Sequence, residues 1–343
     1  MKSTWRKVGK IIFRTFLMLF TTILLLVGGV VGLVYTFNYG PSPSARSLFV
    51  TSVLETSAVG FLATWFLPAE DVQTILATNK VEEFDVVTNP NLISIPDTTK
   101  EGNNNTEQKE IELVQVSGLT YKGNMIIIKD PSRVYVGACA NLNNSAKRGD
   151  RLTTMMERDN ALAGVNGGGF LDTNGRGTGS VPIGFVFSKG EYRAGSTDEK
   201  ELLIGFDSNH KLIVGEMTGQ EALDMGIRDA LTFGPALIIN GVPADFSGVS
   251  SGLNPRSAIG QREDGTVLLL VVDGRQTNSL GASYSDLIEI MVEYGAVNAA
   301  NLDGGSSSLM IYDGEYISKS SSLLGDRTMP TCFLVERRPS DEE

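Results

Sequence analysis

The sequence predicts an α+β fold, a mainly antiparallel sheet with a few packed helices, preceded by an N-terminal transmembrane helix. From residue 111 onward, short apolar runs alternate with Gly, Asp, Asn and Pro turns, a pattern typical of hairpins. Only a few segments space their apolar residues as a helix does, and no regular repeat is visible. Near the N-terminus, the uncharged run 15–37 exceeds the roughly 20 residues that a membrane-spanning helix needs.

Residues 1–14 form a basic tail without acidic residues ahead of that run. Positive charges beside a membrane helix stay in the cytoplasm, so we expect the N-terminus inside and the remainder outside. A cleaved signal peptide is the alternative, but its apolar core usually has about 7 to 15 residues and a small-x-small cleavage site follows it. No clear site follows here. The sequence therefore favours a single-pass protein of the cell membrane with an extracellular catalytic domain.

A second apolar stretch, 48–67, lies within a membrane-proximal helical region assigned to 38–87. It fits a second membrane helix, a helix lying on the membrane surface, or a helix packed on the globular domain. Its one charged residue, Glu55, would cost about 2.5 to 3.5 kcal/mol at the bilayer centre, so a membrane-proximal helix is favoured. The polar, aperiodic stretch 88–110 is typical of a linker, and the globular domain is predicted to span 111–338.

Within that domain, the run 111–140 indicates successive short strands, and 151–160 has helical character. Short helices are also expected near 220–225 and over 283–294, where a serine precedes apolar residues at helical spacing. Turn dipeptides between apolar runs, the strongest local hairpin signal, occur at Asn240-Gly241, Asp264-Gly265 and Asp313-Gly314. A closing strand is predicted for TCFLVE, 331–336.

Composition and charge exclude several functional classes. With 41% hydrophobic and 20% charged residues, the 343-residue chain is globular, and a net charge of -11 argues against nucleic-acid binding. The single histidine, His210, excludes histidine-dependent triads and multi-histidine metal sites built from one chain. Cys139 and Cys332 are too few for a cysteine-built zinc site and form either one disulfide or two buried thiols. No EF-hand-like alternation of oxygen ligands appears, so we expect no metal and no cofactor.

Four polar, glycine-punctuated clusters mark the ends of predicted strands. They are NGGGF at 166–170, NPRSAIG at 254–260, DGR at 273–275 and NLDGGSSS at 301–308. Each cluster alone fits an ordinary tight turn. Active sites are commonly assembled from loops at the ends of rigid elements, so the four together indicate a functional site.

The same clusters carry a resemblance to a known family. NGGGF, FGPALIING, NPRSAIGQREDGTVLLLVVDGR and EYGAVNAANLDGGSSSLM, in this order, resemble the phosphodiester glycosidase family over about 111–336. The family is named for an enzyme that removes N-acetylglucosamine from a phosphodiester, so the resemblance implies cleavage of a sugar-phosphate bond. One departure is Gly169, which stands where an aromatic residue is common in the family and would widen one wall of the site.

Cleavage of such a bond passes through an oxocarbenium-like transition state, which glycosidases generally handle with a carboxylate pair. Asp303 and Asp273, each at the end of an apolar strand and followed by glycine, are the predicted catalytic pair. Arg256 and Arg275 are predicted to clamp the phosphate, because guanidinium groups bind phosphate oxygens bidentately. The alternative for Arg275 is a structural role, holding one of the two aspartates in place.

The remaining polar residues of the clusters are predicted to bind substrate. Asn166 and Asn301 have amides suited to sugar hydroxyls, and the glycines permit close approach of backbone N–H groups to an anion. A serine nucleophile is not expected, because no histidine base is available. The predicted substrate-binding residues are Asn166, Gly167, Gly168, Asp172, Arg256, Arg275, Asn301, Gly304, Gly305, Ser306 and Ser307.

Together these features predict a membrane-anchored extracellular hydrolase that cleaves a glycosyl-phosphate bond in a cell-surface polysaccharide or teichoic-acid-like polymer. Its partners would be a carbohydrate-phosphate substrate and the membrane. Two alternatives stay open at the level of sequence: a non-catalytic module that binds phosphorylated surface glycans, and a transferase in exopolysaccharide assembly.

Overall fold

A computed structural model describes residues 2–56, 59–96, 110–172, 177–322 and 325–342 of the chain. The first element, helix α1 (Lys2–Tyr39), is a single continuous helix that contains the predicted span 15–37. Its portion Lys7–Tyr39 is long and apolar enough to cross a membrane, and almost all of it is exposed. An anchor and a signal sequence share this length and composition.

Three further helices follow, α2 (Pro43–Leu54), α3 (Phe61–Thr64) and α4 (Ala69–Thr78). Ser42 caps α2 by accepting a hydrogen bond from the Ala45 N–H, and Pro43 suits the first helical position. The three helices share a small core of buried residues: Val50, Val53, Ala63, Leu67 and Val72. The described part of 48–67 therefore contains the end of α2 and the short helix α3, which pack against each other. Within the described residues, only α1 has the length and apolarity of a membrane span.

The domain that follows contains seventeen strands and three helices among the described residues. The helices are α5 (Leu152–Asp159), α6 (Gly219–Asp224) and α7 (Tyr284–Glu293). The strands are β1 (Ile111–Ser117), β2 (Lys122–Ile128), β3 (Val134–Ala138), β4 (Ala161–Asn166), β5 (Val186–Ser188), β6 (Glu191–Ala194), β7 (Lys200–Asp207), β8 (Leu212–Thr218), β9 (Ile227–Thr232), β10 (Ala236–Ile239), β11 (Val242–Pro243), β12 (Arg256–Arg262), β13 (Val267–Val272), β14 (Ala296–Leu302), β15 (Met310–Tyr312), β16 (Glu315–Ser318) and β17 (Thr331–Glu336).

These strands form three sheets whose described pairings are all antiparallel. The first sheet has the order β1-β2-β13-β12-β14-β10-β11, the second β16-β15-β4-β17-β3, and the third β6-β5-β9-β7-β8. The predicted α+β class with a mainly antiparallel sheet is therefore confirmed. The three turn dipeptides join β10 to β11, β12 to β13 and β15 to β16, as predicted.

Both faces of the first sheet are buried at its centre. Along β13, Val267, Leu269 and Val271 pack into one apolar cluster, whereas Leu268 and Leu270 pack into another that α7 covers. A strand buried on both faces reads as a continuous apolar run, which explains the sequence VLLLVV. The central strands β12 and β14 are thereby held rigidly, and the residues at their ends have fixed positions.

The segment predicted as a linker is partly packed on the domain. The Thr88 N–H donates to the Val214 carbonyl, the Ser94 N–H donates to the Glu263 carbonyl, and Ile93 is buried. Residues 88–96 therefore belong to the folded unit, whereas 97–109 lie outside the described residues. The two cysteines are buried free thiols, so of the two alternatives the structure has the unpaired form.

Arg133 allows a test of the contacts that hold the C-terminal end of the domain on its core. Its buried guanidinium donates to the Glu336 carbonyl at 2.7 and 3.1 Å and pairs with Glu110 and Asp341. We expect Arg133→Met to lower the free energy of unfolding by about 3 kcal/mol, because it removes both hydrogen bonds to the Glu336 carbonyl and the ion pairs with Glu110 and Asp341. Denaturant titration measures this, with Lys129→Met at the exposed Lys129–Glu112 pair as the control. The control should change stability by less than about 1 kcal/mol, and equal losses in both variants would contradict the assignment.

Candidate active site

A cavity of about 290 Å³ lies where β12 begins and β14 ends. Its walls come from the second, third and fourth sequence clusters, from the loop after the first cluster and from the helical region before the domain. The lining residues are Glu55, Asp172, Phe233, Asn254, Arg256, Arg275, Tyr284, Asp303, Gly304, Gly305, Ser306, Ser307 and Arg327. The cavity therefore combines carboxylates with three guanidinium groups.

Asp303 is the first residue after β14 and is fixed by its own backbone. Its N–H donates to the Gly167 carbonyl at 3.0 Å, and its carbonyl accepts from Asn166 Nδ2 at 2.6 Å. The carboxylate Oδ1 accepts from the Gly304 N–H at 2.9 Å, and the Ser307 hydroxyl also hydrogen-bonds to the carboxyl group. The side chain is thus held in place where it lines the cavity.

Burial raises the pKa of the Asp303 carboxyl to about 6, above its ordinary value of 3.8. The hydrogen bonds from Ser307 and Gly304 and the charge of Arg327 lower that pKa, and the charge of Asp172 raises it. A carboxyl with a pKa near neutrality can both accept and release a proton at physiological pH, which suits acid–base chemistry.

Asp172 and Arg327 form a second charged group in the cavity. Arg327 Nη2 donates to Asp172 Oδ2 at 2.6 Å, and the Gly177 N–H donates to Oδ1 at 2.7 Å. The guanidinium carbon of Arg327 also lies 4.7 Å from the centre of the Phe170 ring. Asp172 is therefore a second carboxylate at the site, oriented by a cation.

Arg256 and Arg275 lie close enough for each to affect the other. Burial, followed by the charge of Arg256, lowers the pKa of Arg275, and the charge of Glu55 opposes this. The Arg256 guanidinium lies 4.1 Å from the centre of the Tyr284 ring. Arg275 has φ +58° and passes beside Gly305, where a Cβ atom would lie 3.3 Å from Nη2. Two adjacent guanidinium groups in one cavity have the chemistry to hold an anion.

In this structure, the chain itself supplies the anion. Glu55, the C-terminal cap residue of α2, accepts at Oε2 from Arg256 Nη2 at 2.5 Å and from Asn254 Nδ2 at 2.8 Å. Its Oε1 accepts from the Gly252 N–H at 3.1 Å, and Arg275 Nη2 donates to the neighbouring Thr56 hydroxyl at 2.9 Å. Glu55 and Thr56, at the end of α2, thus contact both arginines.

A larger cavity of about 470 Å³ adjoins this one, and the two share Glu55, Phe233 and Tyr284. Burial raises the pKa of Tyr284, so its phenol keeps its proton. The larger cavity is partly apolar, with Phe84, Leu202 and Pro235 among its lining residues. Glu55 therefore stands between a charged cavity and a partly apolar one.

Asp273, predicted as the partner of Asp303, does not line the cavity. Its carboxyl group accepts from the Ser318 hydroxyl, and its backbone is tied to Lys122 and Ser279. Two residues later, the left-handed backbone at Arg275 directs the guanidinium into the cavity instead. The prediction of a carboxylate pair from Asp303 and Asp273 is therefore corrected, and Asp172 is the second aspartate at the site.

The predicted roles of the amides and glycines are also corrected. Asn166 and Asn301 are buried, and Asn301 Nδ2 donates to the Gly234 carbonyl, so neither faces the cavity. The N–H groups of Gly304 and Gly305 are occupied by Asp303 Oδ1 and the Pro255 carbonyl, so they are not donors for an anion.

Close packing explains the other two glycines. A Cβ atom would lie 2.7 Å from a backbone atom of Thr331 at Gly167 and of Thr232 at Gly168. Gly167 and Gly168 allow neighbouring backbone segments to approach closely, and neither glycine lines the cavity. Of the predicted residues, the structure brings together Asp172, Arg256, Arg275, Asp303, Gly304, Gly305, Ser306 and Ser307.

Sequence reasoning missed Glu55, Tyr284 and Arg327 as site residues. Glu55 had one signal, since it is the only charged residue in a long apolar stretch. That signal indicates that burying the charge costs free energy, but it does not indicate which residue pairs with Glu55. Arg327 follows no strand and lies in no glycine-punctuated cluster. Within the described ranges, no group of three or more His, Cys, Asp or Glu side chains is arranged to hold a metal ion.

Comparison with known proteins places these features in a family. The family model described as phosphodiester glycosidase matches residues 159–336, just over half of the chain. The SPbeta prophage-derived uncharacterized protein YomE of Bacillus subtilis (strain 168) is 30% identical over 179 residues, which cover 50% of this chain and 27% of that protein.

N-acetylglucosamine-1-phosphodiester alpha-N-acetylglucosaminidase of Bos taurus is 36% identical over 69 residues, which cover 20% of this chain and 13% of that enzyme. The aligned parts therefore span about a quarter or less of either relative. Among solved structures, the catalytic domain of the zebrafish enzyme of that name, described as auto-inhibited by its pro-peptide, superposes with a TM-score of 0.57. It is 19% identical, and the match covers 68% of this chain and 85% of that one, which shows a shared fold.

The raised pKa of Asp303 predicts a pH-dependent stability difference. The folded state holds this proton up to about pH 6, whereas the unfolded chain releases it near pH 3.8, so ionisation destabilises the fold as pH rises through that window. We expect Asp303→Asn to be more stable than the parent above pH 6, by up to about 3 kcal/mol, with no gain near pH 4. Thermal unfolding between pH 4 and 8 tests this, and exposed Asp85→Asn is the control. A gain that does not vary with pH would refute the burial of a charged carboxylate.

Proposed function

The chain belongs to the phosphodiester glycosidase family, and from this we propose that it is a membrane-anchored enzyme that hydrolyses a glycosyl phosphodiester outside the cell. The observation that carries the proposal is one cavity that the Arg256–Arg275 pair and Asp303 line together. A glycosyl phosphodiester presents the matching features, an anionic phosphate joined to the anomeric carbon of a sugar.

In the proposed reaction, the bond between the anomeric carbon and the phosphate oxygen breaks. Both electrons leave with the phosphate, which departs as a phosphomonoester, and a water oxygen bonds to the anomeric carbon. The water proton passes to a carboxylate, and the products are a free sugar and a phosphomonoester. The transition state resembles an oxocarbenium ion, so negative groups near the sugar ring stabilise it.

The arginine pair would hold the phosphate throughout this step. Arg256 is fixed by the Ala282 carbonyl at Nε and packs on Tyr284, so its guanidinium needs little reorganisation to receive an anion. Arg275 presents a second guanidinium beside it. Together they would stabilise the charge that builds on the departing phosphate.

Asp303 would act in its ionised form as the base that activates water. A phosphate is a good leaving group and needs little protonation, so the chemistry requires a base and electrostatic stabilisation more than a strong acid. A pKa near 6 leaves Asp303 ionised at neutral pH and able to accept the proton. Asp172, oriented by Arg327, would place a second negative charge near the sugar ring.

The substrate class follows from the anchor and from the adjoining cavity. If α1 stays in the membrane, the enzyme meets polymers of the cell surface, such as a polysaccharide or a teichoic-acid-like chain with phosphodiester links. The 470 Å³ cavity beyond Glu55 gives room for the second substituent of the phosphodiester. A transferase in exopolysaccharide assembly would use the same residues and deliver the sugar to an acceptor hydroxyl instead of water.

Glu55 would act as an internal inhibitor of this site. Its carboxylate accepts the same Arg256 donor that a phosphate oxygen would need, so substrate must displace it. The zebrafish relative is described as auto-inhibited by its pro-peptide. Residue 55 lies outside the region that matches the family model, as an inhibitory segment added to a catalytic domain would.

The first prediction for activity separates Asp303 from Asp273. We expect Asp303→Asn to lower kcat/KM on a sugar 1-phosphodiester by about 10²- to 10⁴-fold, and Asp172→Asn to lower it by a smaller factor. Asp273→Asn is the matched control and should retain turnover, because its carboxyl group faces Ser318 outside the cavity. The parent profile should rise with pH to a plateau with a midpoint near 6, as Asp303 loses its proton.

Product analysis on the full chain in detergent completes this test. Free sugar indicates hydrolysis, and sugar joined to an acceptor indicates transfer. Binding of a phosphorylated glycan without formation of any product would show that the protein is a binding module and not an enzyme. Full turnover by Asp303→Asn would contradict the proposed role of the Asp303 carboxylate.

The second prediction concerns Glu55→Gln. Glutamine keeps one carbonyl oxygen, which can accept from Asn254 or from Gly252, but removes the charge that competes with phosphate, so we expect about tenfold tighter inhibition by inorganic phosphate. The value of kcat/KM should rise by a similar factor. Glu70→Gln, which removes an exposed acid of α4, is the control and should change neither quantity. Unchanged phosphate affinity in Glu55→Gln would show that this carboxylate does not compete for the arginine pair.

A further inference from the structure

An exposed pair of aromatic rings lies on and just after α3. The side chains of Phe61 and Trp65 are 42% and 75% exposed, and their ring centres are 4.6 Å apart. A tryptophan buries a large apolar area when it has a partner, so a ring left this exposed indicates a surface that something else covers.

The end of α1 continues this surface. Tyr35 and Tyr39 are also exposed and have ring centres 4.8 Å apart, and the Tyr39 hydroxyl donates to the carbonyl of Phe66, the residue after Trp65. We call these four side chains, Tyr35, Tyr39, Phe61 and Trp65, the aromatic surface. It joins the exit of the apolar helix to the helices that follow.

Little charge lies in this part of the chain. Between Tyr35 and Glu70, the sequence holds two charged residues, Arg46 and Glu55, and the Glu55 carboxylate is engaged by Arg256 in the cavity. The aromatic surface is therefore amphipathic without being charged. Trp and Tyr of this character concentrate at the boundary between lipid tails and water.

We propose that the aromatic surface lies in the headgroup layer of the membrane that α1 crosses, with lipid as its partner. Lipid is favoured over a second protein because the surface is continuous with α1, whose exposed apolar side chains have the length and composition to cross a bilayer. The proposal extends the membrane anchoring in the proposed function and does not depend on the reaction.

Docking of the aromatic surface positions the cavity. Glu55 precedes Phe61 of α3 by six residues. In α2, the Ser52 hydroxyl accepts a hydrogen bond from the Leu253 N–H beside the cavity. The helices α2 and α3 therefore connect the two surfaces: α3 contacts lipid, and Glu55 at the end of α2 contacts Arg256. The cavity is held close to the membrane, within reach of glycosyl phosphates attached to that membrane.

The two tryptophans of the chain make the test direct. Trp5→Phe leaves Trp65 as the sole emitter in the full chain, reconstituted into phosphatidylcholine–phosphatidylglycerol vesicles. We expect lipids with a nitroxide at the headgroup to remove about half of its fluorescence, as for an interfacial ring, and aqueous iodide to remove little. Alkaline carbonate extraction of the same vesicles reports separately whether α1 is inserted.

A matched control carries Trp5→Phe, Trp65→Phe and Leu223→Trp, which places the emitter at an exposed position of α6, a helix that contacts β8 and β9 of the third sheet. Its fluorescence should respond to iodide and not to the lipid nitroxide. Iodide quenching of Trp65 equal to that control overturns the proposal, and so does shielding from both quenchers, which would mean a protein partner. Release by carbonate overturns it as well. None of these readouts uses turnover, so failure here is distinct from failure of the catalytic proposal.

Discussion

The buried side chain of Asn166 joins two sheets directly beneath the cavity, and the geometry of the site depends on it. Asn166 ends β4 of the second sheet, and its Nδ2 donates to the Asp303 carbonyl at the end of β14 in the first. Its Oδ1 accepts from the Ser257 hydroxyl of β12 and from the Leu309 N–H. A buried amide must satisfy all these groups at once, so it permits one arrangement of the strand ends.

Above Asn166, the cavity is lined by both guanidinium groups and carboxylates. Arg256 lies close enough to Arg275 that its charge, after burial, lowers the pKa of Arg275, and a nearby anion opposes this effect. In the present structure Glu55 is that anion. The contact links a residue outside the matched family domain to the candidate active site. It also links the cavity to the helices that, as we propose, rest on the membrane.

Much of the fold follows from local signals in the sequence. The Asp-Gly and Asn-Gly turns lie where hairpins form, and Ser283 and Asp286 form the capping box that begins α7. These features involve neighbours in sequence, so the chain near them contains all the chemistry that decides them. Linker composition was less informative, because Thr88 and Ser94 donate to the carbonyls of Val214 and Glu263, far along the chain, and their neighbours in sequence do not reveal this.

For the site, the sequence by itself determined which strand ends carry polar groups and that Asp303, Arg256 and Arg275 stand among them. Only the tertiary structure decided which side chains share a cavity. The backbone after β13 turns Asp273 toward Ser318 and Arg275 toward the cavity, a difference of side-chain direction that residue types do not encode. Glu55 and Arg256 are 201 residues apart in sequence, and Asp172 and Arg327 are 155 apart. Such pairs form only when the sheets and helices have packed, because no local pattern records which distant segment arrives beside another.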